Sequence, residues 1–339
     1  MRIEDFDYNL PGDLIAQTPI EPRDSARLLV DQGTANQPLH RQVKNFVEFC
    51  EPGDLIVVND TKVIPARIRL VRQSGGAAEV LLLEQSATTP GLWEALIRPA
   101  KRLKTGEVLF AADGSELVEI GERTVAGDTF VVKLRCESQS ELEEMLMKYG
   151  EMPLPPYITA PLTASDRYQT VYANRPASAA APTAGLHFTP ALIEALKSMG
   201  VNFLTVDLTV GLDTFAPVTE ENPLNHPMHS EHYRVDPKTL EACAKANRVI
   251  AIGTTATRAL ESAASTGVLE GRTKMFISRG YEFKVVDLLL TNFHMPRTTL
   301  LMMIEAFVGP RWRELYTTAI AERYRMLSFG DAMLLNRRL

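Results

Sequence analysis

Residues 63–150 restrict the fold more than any other part of the chain. They carry short β-type runs at 66–71, 78–83, 93–97, 108–111 and 130–134, separated by Gly-Gly, Pro-Gly, Thr-Gly, Asp-Gly and Ala-Gly turns. Several short strands at this spacing predict a small antiparallel barrel or sandwich. A helix over 138–149, closed by Gly150, and a rigid Met152-Pro-Leu-Pro-Pro-Tyr157 passage follow. On either side of this stretch, apolar strands alternate with amphipathic helices. The expected organisation is therefore a discontinuous α/β domain, residues 1–62 and 151–339, into which residues 63–150 are inserted as a β-barrel domain. At 339 residues the chain is long enough for two domains of ~150 residues each.

Strands are predicted at 26–30, 54–59, 202–210, 248–252 and 285–290. Helices are predicted at 41–50, from Pro190 to a close at Gly200, from Asp236 through Ala246, and over 256–264 and 298–307. Residues 54–59 are apolar without alternation, as a strand covered on both faces requires. The alternation predicts a largely parallel sheet, or a barrel-like α/β core, covered by helices. Ligands of such sheets sit beyond the carboxyl ends of the strands. That rule gathers Asn59, Asp60, Thr61 and Lys62, the 211–215 turn with Asp213 and Phe215, Gly253-Thr254-Thr255, and Asn292-Phe293-His294 on one rim.

Ala181-Pro-Thr-Ala-Gly-Leu-His-Phe-Thr-Pro190 leads into one of these helices. Thr189 is a good N-cap and Pro190 suits the first helical position. A polar turn opening into a helix N-terminus offers backbone N–H groups to an anion. Thr183, Gly185, His187 and Phe188 are candidates here, although packing is the commoner fate of a lone histidine. Gly253-Thr254-Thr255 makes a similar junction and suits a carboxylate or a ribose hydroxyl. No Walker or dinucleotide fingerprint is present.

His226-Pro-Met-His229-Ser-Glu-His232 invites a metal reading, but Pro227 and the β-type residues after it predict an extended segment. Alternation then puts His229, Glu231 and Tyr233 on one face and His232 on the other, which disfavours a three-histidine site. His229 with Glu231 is the better acid–base pair, against a solvated strand edge as the alternative. The helix after Thr291-Asn-Phe-His-Met-Pro296 is apolar nearly all round and is expected to be buried. Tyr324-Arg-Met-Leu-Ser-Phe-Gly-Asp-Ala-Met333 is placed to close over a site. Arg98, Lys101, Arg102 and Lys104 form the densest basic cluster in the insert.

Composition narrows the classes further. Hydrophobic residues make up 45% and charged residues 23% of the chain, as in an ordinary globular protein. No apolar run approaches the ~20 residues of a membrane-spanning helix, and the first residues, Met-Arg-Ile-Glu-Asp-Phe-Asp, lack the pattern of a signal peptide. Cys50, Cys136 and Cys243 have no metal-ligand spacing and are expected to be reduced thiols in the cytoplasm. The net charge of −6 disfavours nucleic-acid binding except through a local basic surface.

Taken together these stretches resemble the S-adenosylmethionine:tRNA ribosyltransferase-isomerase family of queuosine biosynthesis. The likeness runs over essentially the whole chain. It rests on Gly53-Asp-Leu-Ile-Val-Val-Asn-Asp-Thr-Lys-Val-Ile-Pro-Ala-Arg67, Met152-Pro-Leu-Pro-Pro-Tyr-Ile158, Arg167-Tyr-Gln-Thr-Val-Tyr-Ala173 and Ala180-Ala-Pro-Thr-Ala-Gly-Leu-His-Phe188. It continues through His229-Ser-Glu, Gly253-Thr-Thr, Thr291-Asn-Phe-His-Met-Pro296 and Tyr324-Arg through Gly330-Asp-Ala-Met333. Ala177-Ser178 stands where the family usually has Gly-Ser.

The resemblance implies a transferase that consumes S-adenosylmethionine as ribosyl donor, so that no separate cofactor or metal is expected. The implied acceptor is the aminomethyl group of a 7-deazaguanine at the wobble position of tRNA. The implied product is epoxyqueuosine-tRNA, with release of adenine and methionine. The residue types suit that chemistry: the sulfonium acidifies the ribose C5′ hydrogens, and adenine needs a proton to leave. His187, His229, Glu231 and His294 are the expected proton-transfer residues. Phe188, Phe215 and Phe293 are aromatics suited to stacking on the wobble base or on adenine. The basic cluster is the expected tRNA contact, and a cytoplasmic monomer without a membrane partner is expected. A metal-dependent hydrolase built on the histidines and a non-catalytic RNA-binding adaptor are the competing classes.

Overall fold

The computed structural model describes residues 1–337 apart from 87, 125, 126, 128, 163, 179, 210–216, 227 and 229, and it describes the backbone alone at 177 and 178. The chain divides into two compact units. One comprises Met1–Thr61, Pro155–Asn174 and Ala181–Leu339; the other comprises Lys62–Leu154 and Arg175–Ala180. The segment Arg175–Ala180 therefore belongs to the β unit, which the texture of the sequence does not suggest.

The first unit is built on a nine-stranded sheet. In spatial order its strands are Glu270–Thr273, Glu231–Val235, Asn202–Leu208, Leu55–Asn59, Val249–Ile252, Leu288–Asn292, Ala332–Asn336, Arg27–Val30 and Leu39–Gln42. The four central strands from Asn202–Leu208 to Leu288–Asn292 are mutually parallel. Antiparallel pairings follow on both sides, and Arg27–Val30 returns parallel to Ala332–Asn336. The sheet is thus mixed and open, with a parallel centre, rather than largely parallel or barrel-like. Parallel neighbours need crossover connections, which the helices packed on the central strands supply; the outer strands pair mostly antiparallel.

Every residue of Leu55–Asn59, Val249–Ile252 and Leu288–Asn292 is buried, as expected for strands covered on both faces. Alternate residues Ile56, Val58, Ile250, Ile252, Leu288 and Leu290 join one core with Phe46, Phe188, Leu192 and Leu196. Leu192 and Leu196 come from the helix Pro190–Ser198, whose N-cap Thr189 accepts a hydrogen bond from Leu192 N. Gly200 (φ +84°) follows its last turn in the left-handed conformation. The helix Gly253–Thr266 is buried from Gly253 through Ala263 and packs on the central strands. The helix Thr299–Val308, capped by Thr298, is likewise almost wholly buried.

Three differences from the sequence reading have local causes. Residues 41–50 form a 3-10 helix, Val43–Phe49, in place of an α-helix. Its apolar spacing of three suits that tighter turn. The strand expected from 285 begins at Leu288, because the Glu261 carboxylate accepts the N–H groups of Lys284, Val285 and Val286. The helix expected from 256 begins at Gly253 (φ +90°), a backbone value that a side chain would strain.

The second unit is a closed antiparallel barrel of six strands. They run Arg67–Arg72, Ala77–Gln85, Leu92–Arg98, Phe130–Leu134, Glu116–Arg123 and Val108–Phe110, and the last pairs back with the first. Ile68, Val80, Leu82, Ala95, Val118, Ile120, Val132 and Leu134 fill its interior. The strand Glu116–Arg123 has no counterpart among the predicted runs, since Glu116, Glu119, Glu122 and Gly121 mask its apolar alternation. The helix Gln139–Tyr149 is capped by the Ser138 hydroxyl.

Candidate active site

The first unit holds a cleft beyond the carboxyl ends of its central strands. Gly253, Thr254 and Thr255 line it after the strand Val249–Ile252, and Thr291 to Met295 line it at the end of Leu288–Asn292. Ala181 to Ala184, Tyr157, Thr298, Leu300, Leu327 and Ser328 complete the wall. The position obeys the carboxyl-end rule, and the expected rim is present in part.

Asn292 is the organising residue. Its Oδ1 accepts from the Thr183 hydroxyl at 3.0 Å, and its Nδ2 donates to the Leu327 carbonyl at 3.2 Å. The same Nδ2 lies 3.2 Å from His187 Nε2. A carbonyl only accepts, so the amide orientation is fixed, and His187 Nε2 must be the acceptor with its proton on Nδ1. Burial, with the positive charges of Arg325 and Arg23 acting in the same direction, lowers the His187 pKa to about 4. His187 is neutral and stands behind Asn292, outside the lining of the cleft. Leu327 takes φ +70°, an unfavourable value for a leucine.

His294 lines the cleft directly. Its Nε2 is 3.0 Å from the Thr291 hydroxyl, and its Nδ1 has no hydrogen-bond partner among the described residues. Burial alone lowers its pKa to about 3, so the ring is neutral at physiological pH. Its backbone is pinned on both sides: Tyr8 donates to its carbonyl at 2.6 Å, and its N–H donates to Tyr316 Oη at 2.9 Å. Phe293 also lines the cleft, with its ring edge-on to Tyr316 and Tyr324. Across the wall, Tyr157 shares a 2.7 Å hydrogen bond with Ser328, and burial raises its phenol to about 12.

Other expected residues lie elsewhere. Phe188 is fully buried between Phe46, Tyr172 and Phe203, so it has no free face for a base. Gly185 is required by packing, since a Cβ there would strike the Tyr172 hydroxyl. Asn59 is fully buried; it donates to the Leu208 carbonyl and accepts from Leu208 N and Thr61 N, which locks two strand ends together. Asp60 accepts Asn174 N through its carbonyl, and Thr61 is buried beside it. None of Asn59, Asp60 and Thr61 lines the cleft, and Lys62 is an exposed residue of the β unit.

Glu231 and Tyr233 are buried and His232 is half-exposed, as alternation requires. The Glu231 carboxylate accepts from Nη1 of Arg258, which is itself buried on the helix Gly253–Thr266. His226 and His232 pair with separate carboxylates, Glu220 and Glu270. His229, Asp213 and Phe215 lie outside the described residues. In the barrel, Arg98, Lys101, Arg102 and Lys104 are all exposed.

Sequence reasoning did not single out Tyr157, Thr291, Leu327 or Ser328. Tyr157 ends the Pro-rich passage, and Leu327 and Ser328 lie in the stretch expected to close over a site. Those neighbours were the available signal. Arg258 was also missed; its only mark in the sequence is a cation within the apolar helix that follows Gly253-Thr254-Thr255.

Comparison with known proteins agrees with this architecture. The family model described as queuosine biosynthesis protein matches residues 3–335. The S-adenosylmethionine:tRNA ribosyltransferase-isomerase of Carboxydothermus hydrogenoformans is 46% identical over 99% of this chain and all of its own length. That of Rubrobacter xylanophilus is 47% identical over 99% of this chain and 98% of its own. The crystal structure of the S-adenosylmethionine tRNA ribosyltransferase of Thermotoga maritima superposes with a TM-score of 0.55 at 35% identity, covering 97% of this chain and 99% of that one. With its mixed sheet, its six-stranded barrel and a cleft at the sheet's carboxyl edge, the chain belongs to the S-adenosylmethionine:tRNA ribosyltransferase-isomerase family of queuosine biosynthesis.

Proposed function

We propose that this enzyme transfers and isomerises the ribosyl group of S-adenosylmethionine onto the aminomethyl group of a 7-deazaguanine at the tRNA wobble position. Adenine and methionine leave, and epoxyqueuosine-tRNA is the product. S-adenosylmethionine is consumed, and neither a separate cofactor nor a metal takes part. The substrates follow from the names of the relatives and the family resemblance. The observation that carries the site assignment is a neutral, buried His294 in the wall of the cleft.

His294 serves as the base that takes the C5′ proton made acidic by the sulfonium, since its neutral ring presents an Nδ1 that has no partner among the described residues. Burial that keeps the ring neutral also keeps the surroundings poor in water, which strengthens electrostatic effects on the developing carbanion. Asn292, whose two Nδ2 protons are taken by the Leu327 carbonyl and His187, has one Oδ1 lone pair besides the Thr183 bond to offer a ribose hydroxyl. Tyr157 with Ser328 supplies a proton-bearing pair opposite it, suited to the leaving adenine. The acceptor amine attacks in its neutral form, and methionine departs as the epoxide closes. A wobble nucleotide lies in a single-stranded loop and is free to enter such a cleft.

Two labelled donors test the reading. S-adenosylmethionine labelled in the ribose carbons should transfer label to acceptor tRNA, and donor labelled in the methyl group should not. Methyl label in the tRNA would show ordinary methyl transfer and end the proposal.

A further inference from the structure

Arg258 carries an unspent pair of donors. It is 6% exposed, and Nη1 donates to Glu231, but Nε and Nη2 are buried without a hydrogen-bond partner among the described residues. These two atoms form one edge of the guanidinium, with parallel N–H bonds at the spacing of a carboxylate's two oxygens. Buried donors normally find acceptors, and an orphaned pair on one edge is a sign of an absent anion. The edge has company. Thr255, one turn earlier on the same helix, is 7% exposed, its Oγ1 has no partner among the described residues, and it lines the cleft. Thr254 and Thr255 stand four and three residues before Arg258, hence on the same helix face. Helical side chains lean toward the N-terminus, which directs Arg258 back toward that turn.

The helix N-terminus adds a third contribution. The helix Gly253–Thr266 has no side-chain cap, and its first turn contributes Gly253, Thr254 and Thr255 to the cleft wall. Unspent N–H groups and the helix dipole favour a negative charge there. A guanidinium edge, a hydroxyl and a helix terminus together form a receptor for a single planar anion.

From this arrangement we infer that Arg258, Thr255 and the first turn of their helix bind the α-carboxylate of the methionine half of S-adenosylmethionine, with Glu231 holding the guanidinium in place. The inference rests on the proposed function, which supplies the reactants. Among those reactants only that carboxylate and the RNA phosphates are anions. The Arg258 donors are sealed from bulk water, a depth that a polynucleotide backbone does not reach. A carboxylate on a short flexible tether reaches it after a local side-chain displacement. Glu231 thereby becomes a positioning residue.

The test is equilibrium dialysis with the full-length protein and saturating tRNA whose wobble base is guanine, so that no turnover occurs. Each protein is titrated with S-adenosylmethionine and with its decarboxylated analogue. The wild type should prefer the carboxylate-bearing ligand by ~10–100-fold, the worth of hydrogen bonds to a charged group. Thr255→Val and Arg258→Lys should each cut that preference to a few-fold by weakening S-adenosylmethionine alone, while Thr255→Ser should retain it. Lys at 258 keeps a cation beside Glu231, and Thr255→Val does not touch that pair, so the two variants guard against simple misfolding. A preference unchanged in both variants, or an equal loss of both ligands, overturns the inference. Weakened tRNA affinity at constant preference would assign the edge to a phosphate and overturn it too. Equal binding of the two ligands by a wild type that still turns over acceptor tRNA overturns the inference alone; absence of turnover removes the proposed function beneath it.

Discussion

Asn292 Nδ2 lies 3.2 Å from His187 Nε2, and the Leu327 carbonyl, which accepts from the same nitrogen, decides which of the two is the donor. His187 therefore meets the wall of the cleft through Asn292. Asn292→Asp keeps the shape and reverses this logic, because a carboxylate has nothing to donate to either partner. The variant should raise the His187 pKa from about 4 toward or above the ordinary 6.5, as read by NMR titration of the ring, and should lose most turnover. An unchanged His187 titration would show that the amide does not set its protonation.

His294→Gln removes the ring but keeps polar contact with Thr291. Turnover should fall ~10²–10⁴-fold, the usual contribution of a positioned base, with the melting temperature nearly unchanged. His187→Ala should lower turnover less than His294→Gln, since it acts at one remove. The comparison of kcat for the two variants checks the assignment. Equal or reversed losses would return the catalytic role to His187.

Acid stability follows from the same two rings. Folded pKa values of about 4 for His187 and about 3 for His294 lie below the ordinary 6.5. Between those values and 6.5 the unfolded chain binds more protons than the folded one. Their contribution is complete above pH 6.5 and is lost as pH falls toward the folded values. Each should cost roughly 1–2 kcal/mol of unfolding free energy between pH 6.5 and about 5. Urea denaturation across that range should show a slope that flattens when either histidine is replaced by glutamine.

The exposed cluster Arg98, Lys101, Arg102 and Lys104 makes a separate prediction for the barrel. Replacing Lys101, Arg102 and Lys104 with alanine should weaken tRNA binding and flatten the dependence of log affinity on log salt by ~0.7–0.9 per lost phosphate contact. S-adenosylmethionine binding should be unaffected. Identical salt slopes would place the tRNA surface elsewhere.

Periodicity located the elements that bury an unbroken apolar face. Leu55–Asn59, Val249–Ile252 and the helix Thr299–Val308 were legible because every residue in them answers to the same core. Strand direction was not legible. Ala332–Asn336 reads as apolar whether it runs with or against Leu288–Asn292, so half of the sheet's sense was open. The start of Leu288–Asn292 was displaced by a single distant carboxylate, Glu261, which no local pattern announces. In the site, turns at strand ends pointed to Gly253, Asn292 and His294, and all three line the cleft. Phe188 went the other way: its motif resembles a binding loop, but the ring completes the core behind it. Tyr157 and Ser328 come from segments remote in sequence, and tertiary packing puts them in the wall of the cleft.

The central claim is that the ribosyl group, and not the methyl group, is what this enzyme moves. Purified protein with S-adenosylmethionine and tRNA bearing the aminomethyl-deazaguanine should release adenine and methionine in amounts equal to each other and to the modified nucleoside formed. Formation of S-adenosylhomocysteine without adenine would contradict the account.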